Sequence, residues 1–173
     1  MLHNDTEMEV VKEVIRLAEK KLDAQLAIIS ALAQRSGALA SILGAGATAM
    51  FAAEVAMINL LRINISLTVV LIALVAPSIA YVGCIYCGLA AGTSKFQTAG
   101  NHPVAWKDNR KNEELREALI GEIENYQAYL TYNDKVISKL ARYLSRGLRY
   151  GVASPIALAS MSLLFLLKLK CSA

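Results

Sequence analysis

Polar and apolar residues in this chain are sorted into long blocks. Gly37 to Leu61 holds one ionisable side chain, Glu54, and neither Leu67 to Ala91 nor Tyr150 to Leu167 holds any. A helix needs roughly 20 residues to cross about 30 Å of hydrocarbon. All three runs reach or approach that length, and Lys168 and Lys170 extend the third because their stems can snorkel. Three membrane spans are predicted. The competing picture, buried core helices of a soluble domain, fits the run lengths less well.

Two further blocks are amphipathic. Thr6-Glu7-Met8-Glu9 has the hydroxyl-to-carboxylate spacing of a capping box and predicts a helix start. The stripe that follows is Val11, Ile15, Ala18, Leu22, Gln25, Ile29 and Leu32, the alternating spacing of a helix packed on another helix. A second helix is predicted from Asn112, with the stripe Leu115, Leu119, Ile123, Tyr126, Leu130, Asn133, Ile137, Leu140 and Leu144. One polar residue interrupts each seam, Gln25 in the first and Asn133 in the second. Such residues set register and oligomer state, or alternatively contact a ligand. An apolar seam is not stable facing water, so the two helices are expected to pack on each other or on further copies of the chain.

These blocks predict an all-α integral membrane protein with three transmembrane helices and two long cytoplasmic amphipathic helices. The expected boundaries are an amphipathic helix over 1–36, spans over 37–61 and 67–91, and an external turn over 62–66 between them. A cytoplasmic loop over 92–111, the second amphipathic helix over 112–149, a third span over 150–168 and an external tail over 169–173 complete the chain. Lysine and arginine cluster before the first span and between the second and third, while Arg62 stands alone in the short turn. Cytoplasmic segments carry that excess, which predicts N-terminus in and C-terminus out. The opening segment is charged and helix-patterned, so the first span is expected to remain as an anchor. Composition agrees with this picture: 55% of residues are hydrophobic and the formal charge is +4. The basic residues alternate with acids along helices, which does not suit nucleic-acid binding.

Small residues open the first span, and the pairs Gly37/Ser41 and Ala40/Gly44 prepare a close helix approach, within a protomer or between protomers. Pro77 is expected to kink the second span and Pro155 to lie in the first turns of the third. Cys84 and Cys87 form C-x-x-C without a second pair, and the two histidines lie far away, so packing is expected there and a zinc site is not. No nucleophile triad, phosphate loop or metal cluster can be traced, and an enzyme is not expected. Glu54 lies about 17 residues past Gly37, roughly 25 Å along a helix. It either reaches outer water or pairs with Arg62, or it lines a pore formed by several protomers. Arg35, Trp106, Tyr132, Asn133, Lys135 and Lys139 together offer cations for a phosphate and aromatic or amide groups for a base. The same residues also suit a solvated helix surface.

The stretch Lys21-Leu-Asp-Ala-Gln25-Leu-Ala-Ile-Ile-Ser-Ala-Leu-Ala-Gln-Arg35-Ser-Gly37-Ala-Leu-Ala resembles the approach to the first span in the Pycsar transmembrane effectors. Tyr132-Asn133-Asp-Lys135-Val-Ile-Ser-Lys139-Leu-Ala-Arg142-Tyr-Leu resembles the helix leading to their last span, and the order of elements is similar over nearly the whole chain. Arg35 stands where the family usually has lysine, which keeps the charge and changes the geometry. The resemblance implies a homo-oligomeric, multi-pass protein of the bacterial inner membrane that acts in antiphage defence. Cyclic UMP or cyclic CMP from a partner cyclase would be its signal, and impairment of the membrane with abortive infection its effect. No cofactor is implied beyond that signal ligand. The alternative is a scaffolding membrane protein whose cytoplasmic coil recruits a partner. A holin-like pore former ranks below both, and the internal repeats of a transporter are not found.

Overall fold

The computed structural model describes the backbone of residues 2–61, 74–92, 95–98 and 112–172, and the side chains of 8–56, 74–92, 95–98 and 117–163 among them. The described residues form three helices and no strand: α1 (Leu2–Leu61), α2 (Val75–Ala91) and α3 (Asn112–Ser172). α1 is already helical at Leu2, so Thr6 lies inside the helix it was expected to open. No glycine or proline interrupts α1 before Gly37, and the helix continues through that point. α3 begins at the expected Asn112, passes Gly147, Gly151 and Pro155 without ending, and includes the residues expected as a tail as far as Ser172.

The expected stripes lie inward. Leu22, Gln25 and Ile29 are buried on α1, and Leu119, Tyr126, Asn133 and Leu140 on α3. Both stripes run further than the sequence pattern indicated. On α1 the same spacing continues through Ser36, Leu39, Leu43, Ala47, Met50 and Glu54, none of them exposed. On α3 it continues through Gly147, Gly151, Ser154, Leu158 and Met161. In the first unit the seams are filled mainly by Leu and Ile, with Gln25 on α1 and Tyr126 and Asn133 on α3. The apolar half of the α3 seam turns to glycine and serine, which supply less contact area and permit a closer approach of backbones.

Two compact units divide the chain. The first contains residues 1–31 and 93–139, and the second residues 32–92 and 140–173. Within the first unit α1 and α3 run parallel, because Glu19 meets Tyr126 while Gln25 meets Leu130 and Asp134. Within the second, α2 runs antiparallel to both long helices. Its Ala91 faces Gly37 and its Cys84 faces Gly44, while Gly83 faces Gly147 and the carbonyl of Ala76 accepts from Ser154 Oγ. The small-residue face of α1 is thus used within the protomer, at Gly37, Ala40 and Gly44, while Ser41 is exposed and bonds to its own helix at the Gly37 carbonyl.

α2 begins at Val75, which puts Pro77 in its first turn, where the missing N–H is one that a helix leaves unpaired anyway. The kink expected there also involves residues 62–73, outside the described residues. Pro155 stands in the helix interior of α3 and withholds one ladder bond.

Among the described residues one helix, over Met8–Ala56 of α1, is long and apolar enough to cross a membrane, and only 6% of its most apolar window is buried. The core helix of a soluble domain would be mostly covered. Val75–Ala91 is apolar too, but shorter. Ile42, Ile85, Val152, Ile156 and Leu163, all in the second unit, are each at least 60% exposed. Large apolar side chains turned outward from three helices mark a surface suited to a nonaqueous neighbour.

Candidate functional site

In the first unit each seam-breaking polar residue has a specific partner. Gln25 Nε2 donates to Asp134 Oδ1 at 2.7 Å and to the Leu130 carbonyl at 3.2 Å. Turning the amide over would set its oxygen against a carboxylate and a carbonyl, so these acceptors fix its orientation. Gln25 Oε1 is buried without a hydrogen-bond partner among the described residues. Asp134 itself is exposed, so truncating it does not strand a buried charge. Asp134→Ala is expected to cost about 1 kcal/mol, since Gln25 keeps the Leu130 carbonyl. Urea unfolding of the purified chain in detergent measures this.

Asn133 reaches a different partner. It is fully buried, accepts from the Gln97 backbone N–H at 3.0 Å and donates to the Gln97 carbonyl at 2.9 Å. A side-chain amide thus pairs with one residue's backbone as a neighbouring strand would, and it ties the segment 95–98 to α3. Nearby on α3, Tyr126 is 3% exposed and donates its hydroxyl to Glu19 Oε1 at 3.2 Å. Tyr129 packs edge-on against the Tyr126 ring. These contacts make a polar layer in an otherwise apolar seam.

The second unit is built on close approach. A Cβ added at Gly147 would collide with Cys87 Sγ and stand 3.1 Å from the Gly83 carbonyl oxygen. Cys84 Sγ lies 3.2 Å from the Ala40 carbonyl. Both thiols are free and serve packing, and among the described residues no three His, Cys, Asp or Glu side chains gather. Three further hydroxyls in this unit return to their own helices: Thr48 to the Gly44 carbonyl, Ser160 to Ile156 and Ser162 to Leu158. The proton of Thr48 is committed to Gly44, so Tyr81 donates to Thr48 at 3.0 Å. Toward the other end of α2, Tyr86 stacks on Tyr150 at 5.6 Å between ring centroids, and the Arg146 guanidinium lies 5.9 Å over its face. A tyrosine and arginine cluster of this kind suits a membrane–water interface.

Glu54 ends the described part of the α1 stripe. It is half-buried, and its Oε2 has no hydrogen-bond partner among the described residues. Arg62, its expected pair, lies outside them.

The residues expected to hold a nucleotide fall in both units and outside the described residues. Tyr132, Asn133, Lys135 and Lys139 belong to the first unit and Arg35 to the second, while Trp106 lies outside the described residues. Tyr132, Lys135 and Lys139 are exposed, whereas Asn133 is buried and engaged by Gln97. Sequence reasoning passed over Gln97 itself, because a backbone partner carries no side-chain signature. It also missed Ser36 and Ser154, which the continued stripe spacing could have revealed. Comparison with protein-family models, curated proteins and solved structures finds no match.

Proposed function

We propose that this chain is a three-span inner-membrane effector that responds to cyclic UMP or cyclic CMP and impairs the membrane, halting an infected cell before phage are released. The observation that carries the reading is the unbroken inward stripe on α1 and on α3. Each helix carries residues of a polar unit and of an apolar unit without a break. Packed helices shift as stiff bodies, so a ligand-driven rearrangement among coil residues has a direct route to the apolar half. Outward apolar side chains on all three helices of the second unit, and the Arg146–Tyr86–Tyr150 cluster, support the membrane location. In this reading the cluster lies at the cytoplasmic interface, which agrees with the lysine and arginine distribution. Self-association of the membrane half would bring Glu54 from several protomers around one path.

Asn133 is already spent on Gln97, so it acts as the tie that a bound nucleotide loosens. Lys135 and Lys139, both of the first unit, supply the cations for the cyclic phosphate. Membrane potential in bacteria carrying the chain tests the reading. Inducing a co-expressed pyrimidine cyclase is expected to collapse the potential, and Lys135→Ala with Lys139→Ala is expected to abolish the collapse. An unchanged potential at confirmed membrane expression would exclude the effector role and favour the scaffold.

A further inference from the structure

In the second unit an open groove of about 570 Å³ lies between α1 and α3, a volume within the roughly 300–1,000 Å³ of small-molecule sites. Leu32 forms its α1 side, and Leu144, Leu148 and Val152 with Ser145 and Arg149 form most of its α3 side. These α3 residues occupy successive turns of one face. α2 covers a different face of α3, where Gly83 meets Gly147 and Tyr86 meets Tyr143 and Tyr150. The groove wall is hydrocarbon except for Ser145 and Arg149.

Arg149 is exposed and has no hydrogen bond or ion pair among the described residues, whereas Arg146, also exposed, lies over the Tyr86 ring. Helical side chains lean toward the preceding turn, so the Arg149 guanidinium covers the turn of Ser145. A cation at one level and an apolar channel continuing past Leu148 to Val152 match a molecule with an anionic head and a hydrocarbon tail. Arg149 is adjacent to Tyr150 of the aromatic cluster, which puts this cation at the depth assigned to the lipid phosphate layer.

We propose that this groove seats an anionic phospholipid, with its phosphate at Arg149 and Ser145 and an acyl chain along Leu148 and Val152. The proposal rests on the membrane reading given above. A bound lipid would then share its groove wall with both long helices and hold α1 and α3 at a fixed separation, so the anionic lipid content of the membrane would tune the response.

Native mass spectrometry of the full chain, titrated separately with phosphatidylglycerol and phosphatidylcholine, tests the proposal. The wild-type chain is expected to bind phosphatidylglycerol about fivefold more tightly, the factor one interfacial cation supplies. Arg149→Gln is expected to abolish that preference, and Ser145→Trp, which obstructs the groove, to reduce binding of both lipids. Equal binding of the two lipids by the wild-type chain overturns the proposal, as does a preference that survives Arg149→Gln. A dimer cross-linking through Ser145→Cys would assign the groove to a second copy and overturn it likewise. Alkaline extraction of the expressed chain separates the two levels: release from the membrane removes the membrane reading itself. A retained chain without a lipid preference removes only the lipid site.

Discussion

Gly147→Ala is expected to force α2 and α3 apart and to cost on the order of 3 kcal/mol, at the upper end of overpacking penalties. The reason is geometric. The new methyl would collide with Cys87 Sγ, and two further neighbours, the Gly83 carbonyl oxygen at 3.1 Å and the Cys87 backbone nitrogen at 3.2 Å, belong to a helix backbone with little room to yield. Thermal unfolding of the purified chain in detergent measures the effect. Adding Cys87→Ala removes the sulfur and leaves only the two backbone contacts, so the double variant should recover much of the loss. Gly46 supplies the control, since a Cβ there meets nothing within 4 Å. Gly46→Ala should be neutral or stabilise by roughly 0.5–1 kcal/mol, the ordinary gain of alanine over glycine in a helix. If Gly147→Ala matched Gly46→Ala, the close crossing of α2 and α3 would be refuted.

The contrast between these two glycines also shows where sequence reasoning stops. Helix propensity treats them alike, and small-residue spacing pointed to Gly37, Ala40 and Gly44 on α1, which do meet α2. Nothing in local spacing links Gly147 to Cys87, because the link depends on where an antiparallel helix crosses. The seams were legible for a corresponding reason: heptad-like spacing is a local property, and it placed Leu22, Gln25, Asn133 and Leu140 inward from the pattern alone. The same spacing was not followed past Leu32 and Leu144, where glycine, serine and alanine replace leucine and the hydrophobic contrast fades. Pro77 needs the same context, since a proline breaks a helix only where its N–H is needed, and in α2 it stands in the first turn. The proposed nucleotide cluster was assembled from residue types, and the fold distributes its members over two units.

Asn133 gives the second large effect, and two substitutions of similar size separate its roles. Asn133→Leu completes the apolar seam and is expected to leave coil stability unchanged or raised, because it removes the polar group from the seam and its Gln97 partner is open to water. Asn133→Asp keeps the shape and the acceptor but loses the donor to the Gln97 carbonyl and buries a carboxylate in the seam. It is expected to cost roughly 3–5 kcal/mol, the range for an uncompensated buried charge. Circular dichroism with denaturant would rank the two against the wild-type chain. Hydrogen exchange at the Gln97 amide separates the tie from the coil: Asn133→Leu, which removes its acceptor, should speed it by on the order of tenfold, whereas Asn133→Asp keeps that acceptor and should speed exchange along α1 and α3. Gln97 exchange that stayed slow in Asn133→Leu would mean the segment 95–98 is held by something else. Under the proposed function the leucine variant is the informative one. Its coil is intact and its tie is cut, so a membrane response without nucleotide would make the Asn133–Gln97 pair the restraint that the ligand releases. Silence in the presence of nucleotide would instead make the pair the connection through which the ligand acts.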